Sequence, residues 1–343
     1  MSGMWGAVRP YGVRLAAAGL AGIAAELCGL GLIAAAAWLI ARAAQQPPVA
    51  ALSLAIVAVR ACAVGKGGLR YLERLAGHDV ALRALAELRG RVFDALARTP
   101  AGRLREGDAL TRMVADVDAV QDLLLRCLLP AVAAVVCGAA GLVVCAVAVP
   151  DAAPVLAAGL AVAALVLAPG AAVLSGRAAA RAAVARERLA VRSLDVLEGA
   201  GDLAVFGAAG RFAEAAGAQS RRLAGAERAA ARVTALVSGA GFAVQGLTCA
   251  AVAWAAIGAG ADGVRVAVAA LTALIAVEAA LPLVSAAQRL REVLPASRRV
   301  AVVLATAGPP RPRVPVALPP GPLSVQLLGV RVTYPSPGPG GGR

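Results

Sequence analysis

The stretch LRYLERLAGHDVALRALAELRGRVFDALARTPAGRLREGDALTRMVADVDAVQDLLLR, from Leu69 to Arg126, is a polar, arginine-rich segment between two stretches too apolar for water. Leucine and valine recur in it at spacings of three and four residues, with Arg and Glu between them, which is typical of an amphipathic helix. The segment also holds the only histidine of the chain, His78. We therefore predict that membrane helices continue here as helices outside the bilayer, where they contact something in the cytosol.

The composition of the 343-residue chain is that of a membrane protein. Hydrophobic residues make up 60% of it and aromatic residues 3%, and the mean hydropathy is +0.77. A net charge of +14 would suggest nucleic acid in a soluble protein, but the arginines cluster in alternate connections between apolar stretches, so we expect membrane lipid and no nucleic acid as a partner. The six cysteines form no C-x-x-C pair, which predicts buried small side chains and neither disulfides nor a zinc site.

Six stretches reach the roughly 20 apolar residues that a membrane helix needs. They cover residues 15–41, 49–69, 127–149, 152–175, 233–257 and 266–287. The connection between spans two and three and the one between spans four and five each carry ten arginines, whereas the opposite side is almost bare. The positive-inside rule then predicts a multi-pass protein of the plasma membrane with both termini in the cytoplasm.

The two arginine-rich connections predict long rods. Spans two to five should continue into the cytosol, and a 20-residue extension reaches about 30 Å. Two tight reversals are predicted, one at residues 99–102 and one near residues 206–210, where Pro and Gly interrupt the helical pattern.

The chain changes character after residue 306. Residues 307–322 form a Pro-rich linker that cannot be helical. Residues 323–343 begin with LSVQLLGVRVTYP, whose β-branched residues predict a strand. The sequence therefore predicts an all-α membrane domain over residues 1–306, the linker, and the truncated β start of a domain whose remainder we expect to be missing.

This organisation resembles the transmembrane domain of an ABC exporter of the type IV fold. More narrowly, it resembles the CydC-type subunit of the heterodimeric exporter for cytochrome bd assembly. Four segments carry the resemblance: RYLERLAGHD at 70–79, GDALTRMVADVD at 107–118, LEGAGDLAVFGA at 197–208 and EAALP at 278–282. The second is common to ABC exporters in general and the first is much narrower. The resemblance extends over residues 10–335.

The resemblance implies a CydD-type transmembrane and ATPase subunit as heterodimeric partner, and nucleotide-binding domains that bind ATP and Mg. The substrate would be a small thiol, cysteine or glutathione, or a haem-related molecule. Arg103, Glu106, Phe206 and Arg211 would mark the coupling loops that contact the nucleotide-binding domains, and Tyr334 would stack on adenine. The sequence has no G-x-x-x-x-G-K-[ST] loop, so we expect a truncated subunit or half of a split gene that cannot hydrolyse ATP alone.

Four polar residues of span two lie on one helical stripe. At 100° per residue, Arg60, Tyr71, Arg74 and His78 fall within about 60° of one another. A central arginine facing lipid costs at least ~2.5 kcal/mol, so the stripe predicts an inner cavity. With Lys66 close by in sequence, it predicts a cationic pathway for an anionic substrate.

The same region has two further interpretations. The chain's only imidazole, that of His78, is a candidate axial ligand for haem iron, with arginine available for the propionates. Alternatively, Arg70, Arg74 and His78 are interfacial residues paired with Glu73 and Asp79.

Lone acids lie within two spans. We expect Glu26 and Glu278 to form ion pairs with Arg60 and Lys66, because pairing neutralises both signs at membrane depth. The alternative is that the two acids contact the substrate directly. A third acidic group, Asp108, Asp116 and Asp118 around Arg112, is better explained by helix capping and intrahelical ion pairs than by a metal site.

Two functional alternatives to a thiol exporter remain. One is a haem- or thiol-sensing membrane subunit that binds without transporting. The other is half of a general lipid or peptide ABC exporter, which the RYLERLAGHD segment disfavours.

Overall fold

The structure, a computed structural model, describes residues 9–97 and 117–306. These two ranges are helical apart from short connections and contain no strand. Their α-helices are α1 (Gly12–Ala43), α2 (Ser53–Ala97), α3 (Val117–Asp122), α4 (Leu129–Ala148), α5 (Ala153–Ala161), α6 (Ala168–Glu198), α7 (Ala200–Val205), α8 (Ala209–Gly258), α9 (Gly263–Ala280) and α10 (Pro282–Thr306). The predicted all-α membrane class is confirmed, whereas the predicted linker and strand lie outside the described residues.

Six helical stretches of the described chain are long and apolar enough to cross a membrane. They are Gly12–Ala43, Val49–Ala95, Leu125–Ala148, Pro150–Glu198, Ala209–Gly258 and Gly263–Arg291. Each contains one predicted span, so the number and order of spans are confirmed. Helices are the expected solution because lipid offers no hydrogen bonds to an unpaired backbone.

The second, fourth and fifth of these stretches are much longer than a bilayer requires. Helix α8 has 50 residues, which at ~1.5 Å per residue is about 75 Å, against roughly 30 Å of hydrocarbon. The predicted rods are therefore present for these three spans. The reversal predicted near residues 206–210 is confirmed, because α7 ends at Val205 and α8 begins at Ala209. Between them Gly207 has a φ of 62°, which glycine adopts without a Cβ clash. The reversal predicted at residues 99–102 lies outside the described residues.

Prolines interrupt three spans at similar positions. A π-helical turn at Leu123–Leu128 precedes Pro130 in α4, and another at Val162–Leu167 precedes Pro169 in α6. In the sixth span α9 ends at Ala280 and α10 begins at Pro282. Proline lacks an N–H and clashes with the preceding turn, so each continuous span is locally reorganised at this point. These breaks leave no obvious sign in the hydropathy pattern.

The buried core of the described residues includes a membrane part and a part along the extensions, and a third cluster joins Ala168, Ala171, Val237 and Val284. The membrane part consists mainly of small residues of α4, α5, α8 and α9, and a Cβ added at Gly141 would lie only 2.6 Å from Ala276 Cβ. The second part joins the extension of α2 to α3 and α10 through Leu88, Val92, Val117 and Val300. Small residues allow close helix approach in lipid, where hydrophobic burial does not drive association.

Candidate functional site

The stripe predicted on span two lies on an uncovered face of α2. Arg60, Tyr71, Arg74 and His78 are all exposed, and Tyr71 keeps 66% of its surface accessible. None of the four makes an ion pair or hydrogen bond with residues 9–97 or 117–306. Within the most apolar window of this span, 0% of the residues are buried. No residue of the ranges 9–97 and 117–306 therefore covers this face of α2.

Lys66 lies on a different side of α2 from the stripe. It is about 120° away from Arg60 around the helix axis, and its Nζ would be 3.2 Å from a Cβ built at Gly29 of α1. The structure therefore places Lys66 over α1 and does not bring it together with the stripe.

An ion triad joins α1 to α2 beside Lys66. Arg70 Nη2 donates to Glu26 Oε1 across the two helices, and Arg70 Nη1 donates to Glu73 Oε2 at 2.9 Å. The three side chains are only partly accessible, at 29% for Glu26, 36% for Arg70 and 23% for Glu73. One guanidinium thus serves two partly buried carboxylates, and these charge-assisted hydrogen bonds favour the paired ions over isolated charges.

The prediction that Glu26 pairs with Arg60 or Lys66 is wrong, because its partner in the structure is Arg70. The reason is the register of the antiparallel α1–α2 pair. Arg60 precedes Arg70 by ten residues, or about 15 Å along the helix, and so lies at a different depth from Glu26. The missed signal was the spacing of Lys66, Arg70 and Glu73, which places these three residues on one face of α2.

The triad lines a cavity of about 240 Å³ between α1, α2, α4 and the α9–α10 break. The other walls come from Gly19 and Gly22 of α1 and from Pro130 and Pro282, which mark two of the proline breaks. Gly22 is needed for this arrangement, because a Cβ there would be 3.2 Å from Glu73 Cγ.

The second lone acid, Glu278, has a neutral partner in place of the expected Arg60 or Lys66. Gln245 Nε2 donates to the carbonyl of Leu274 at 3.1 Å and lies 3.5 Å from Glu278 Oε2. The glutamate is exposed on α9. A hydrogen-bonding neighbour lowers the cost of a carboxyl group at this depth without neutralising it.

The alternative interpretation, in which Arg70, Arg74 and His78 pair with nearby acids, holds for Arg70 only. Arg70 pairs with Glu73 as that alternative required, whereas Arg74 and His78 have no acidic partner among the described residues. Asp79 instead pairs with Arg83 at 2.8 Å and Arg14 at 3.3 Å.

The described coupling-loop candidates lie at the tip of the α7–α8 reversal. Phe206 is 82% exposed and Arg211, in the first turn of α8, is exposed as well. An apolar side chain exposed at the tip of a long hairpin is a plausible contact for another protein. Arg103, Glu106 and Tyr334 lie outside the described residues.

Six helical stretches of the described chain are long enough to cross a membrane, and three of them have long extensions. They define a multi-pass membrane protein. The reversal at the tip of the extensions fits the transmembrane domain of an ABC exporter.

No family model matches the chain. Curated relatives match part of it, and all three have names of the glutathione/L-cysteine transport system ATP-binding/permease type. CydC of Escherichia coli (strain K12) is 37% identical over 117 residues, which are 32% of this chain and 20% of the relative. CydD of Bacillus subtilis (strain 168) is 34% identical over 101 residues, 28% and 18% of the two chains.

The third relative, CydC of Haemophilus influenzae, is 41% identical over 75 residues, 21% of this chain and 13% of the relative. The aligned stretches thus span a fifth or less of the curated relatives. With the six-helix fold, they confirm the predicted resemblance to a CydC/CydD-type ABC exporter transmembrane domain.

Proposed function

We propose that this chain forms one transmembrane half of an ATP-driven exporter of small thiols, cysteine or glutathione, or of a haem-related molecule. Its partner would be a CydD-type subunit in a heterodimer that serves cytochrome bd assembly. ATP and Mg would be bound by nucleotide-binding domains, and the conformational change would reach the membrane through hairpin tips such as the one at Phe206. Both termini would lie on the cytoplasmic side of the plasma membrane, as the arginine distribution predicts.

The observation that carries this proposal is the uncovered stripe of α2. Arg60 and Arg74 present unpaired guanidinium groups on a face that no other described part of the chain covers. Because an arginine facing lipid is costly, this face is best satisfied by a water-filled cavity between two halves. Thiol substrates with carboxylates are anionic or zwitterionic, so cations along such a cavity favour their passage.

The site supports a role in haem binding only as a further proposal. His78 is exposed at one end of the stripe, and Arg74 lies one helical turn away, about 6 Å along the axis. An imidazole for the iron and a guanidinium for a propionate would then be available on the same face.

The proposal can be tested with the full-length subunit and its partner reconstituted in lipid. We expect Arg60→Ala and Arg74→Ala to reduce cysteine-stimulated ATPase activity more than basal activity. Arg265→Ala is the matched control, because Arg265 is an exposed arginine that pairs with Asp262 at the start of its own helix and does not belong to the stripe. Unchanged stimulation in both stripe variants would refute the cationic pathway.

A further inference from the structure

The cavity beside the Glu26–Arg70–Glu73 triad is separate from the uncovered stripe. It has a volume of about 240 Å³ and is enclosed by α1, α2, α4 and the α9–α10 break. Arg60, Arg74 and His78 do not line it. Its polar wall is formed by the triad, and much of the remaining wall is made of glycine, alanine and proline. A cavity lined at one end by charge and elsewhere by small apolar groups is suited to a small polar ligand.

The hydrogen-bonding groups of the triad are not fully used by one another. Arg70 has five N–H groups, and its hydrogen bonds to Glu26 and Glu73 use two of them. The cavity wall carries two carboxylates and one guanidinium. Lys66 does not line the cavity, and it lies over Gly29, one helical turn along α1 from Glu26. The wall therefore offers both acceptors for a cation and spare donors for an anion.

We propose that this cavity is a binding site for a free α-amino acid, which rests on the proposed function in thiol transport. The ammonium group of the ligand is held by the carboxylates of Glu26 and Glu73, and its carboxylate accepts from the remaining N–H groups of Arg70. Charge-assisted hydrogen bonds of this type are about twice as strong as neutral ones. The ligand side chain points to the small residues around Gly19 and Pro130.

The size of the cavity suits a small ligand. Sites for drug-sized ligands need roughly 300–1,000 Å³, and this cavity is smaller at about 240 Å³. A single amino acid fits this space. L-cysteine and the γ-glutamyl end of glutathione each carry a free ammonium group and a free carboxylate, so the charges of the triad fit either one.

The glycines of α1 provide a test that removes no charged group. A Cβ at Gly22 would lie 3.2 Å from Glu73 Cγ, and one at Gly19 would lie 3.1 Å from Leu129 Cδ2, so alanine at either position crowds the wall of the cavity. Gly246→Ala in α8 is the matched control, because nothing lies within 4 Å of its added Cβ. Equilibrium binding of radiolabelled L-cysteine is measured under reducing conditions, using the full-length complex in lipid nanodiscs. N-acetyl-L-cysteine, which lacks the ammonium group, and L-cysteine methyl ester, which lacks the carboxylate, are the competitors.

We expect Gly22→Ala and Gly19→Ala each to weaken L-cysteine binding by about tenfold, the cost of one misplaced methyl group in a tight site. Gly246→Ala should bind like the wild type, and both competitors should be at least about tenfold weaker than unlabelled L-cysteine. The proposal is overturned if the wild type does not bind L-cysteine, if both cavity variants bind it normally, or if either competitor binds as tightly as L-cysteine. If only one of the two cavity variants assembles into the complex, L-cysteine binding to that variant alone decides whether the proposal holds. Loss of ATPase stimulation in Arg60→Ala together with normal binding in the cavity variants would refute this site while leaving the exporter proposal intact.

Discussion

Arg70 of α2 donates a hydrogen bond to Glu26 of α1 although 44 positions separate the two residues in the chain. The same guanidinium also binds Glu73 one turn further along α2. This pairing holds the first two membrane helices in one register and forms the polar wall of the cavity between them.

The first prediction concerns the contribution of this pair to stability. Arg70→Gln leaves two partly buried carboxylates without a cation, so we expect the free energy of unfolding to fall by about 1–3 kcal/mol. Thermal unfolding in detergent, followed by size-exclusion chromatography, measures the change. Arg186→Gln is the matched control, because the Arg186–Glu227 pair also joins two helices but is 65% and 50% exposed. That substitution should cost less than about 1 kcal/mol. Equal losses in the two variants would contradict the structural role of Arg70.

The second prediction concerns the tight helix contacts of the membrane core. A Cβ at Gly159 would lie 2.4 Å from Thr248 Oγ1, and one at Gly141 would lie 2.6 Å from Ala276 Cβ. Because neither distance is compatible with van der Waals contact, Gly159→Ala and Gly141→Ala should each destabilise the fold by about 1–3 kcal/mol. Gly246→Ala, which meets open space, should be neutral or slightly stabilising through its higher helix propensity. The same thermal assay measures all three, and stable core variants would show that these helices are further apart.

The third prediction concerns orientation. A cysteine introduced at Ala209, at the tip of the α7–α8 reversal, should cross-link to a nucleotide-binding domain of the assembled exporter. A cysteine at Asp262, in the connection between α8 and α9 at the other end of the bundle, should not. Both are placed in a background without the native cysteines, and the cross-linked products are identified by mass spectrometry. Cross-linking from position 262 alone would reverse the orientation predicted from the arginines.

The fourth prediction concerns haem. If His78 is an axial ligand, His78→Ala should abolish or shift the Soret band of the haem-titrated complex, because the chain has no other histidine. Tyr71→Phe is the control on the same exposed stripe, since it keeps the aromatic ring and removes only the hydroxyl group. A variant lacking His78 that binds haem with the wild-type spectrum and affinity would leave the imidazole without this role.

Much of the fold was predictable because its signals are local. Hydropathy located all six spans, since each apolar stretch reports its own insertion into lipid. The reversal near Gly207 was predictable because glycine, in a break of the helical pattern, marks a turn. The stripe of Arg60, Tyr71, Arg74 and His78 followed from helical periodicity alone, and no part of the chain that the structure describes covers this face.

The partners of the charged residues were less predictable. Glu26 was expected to meet Arg60 or Lys66, and the structure pairs it with Arg70. Glu278 was expected to meet a cation, and it lies beside Gln245. The sequence indicates that an acid within a membrane span needs a partner, but several residues of suitable chemistry could take that place.

The sequence by itself determined the helical class, the six spans, their extensions and the cationic stripe, because each depends on residues a few positions apart. Only the tertiary structure decided which charges meet and where a cavity remains. The register of α1 against α2 depends on fitting Lys66 over Gly29 and Glu73 over Gly22. That fit places Arg70 level with Glu26, and it is a property of two packed surfaces that no local pattern specifies.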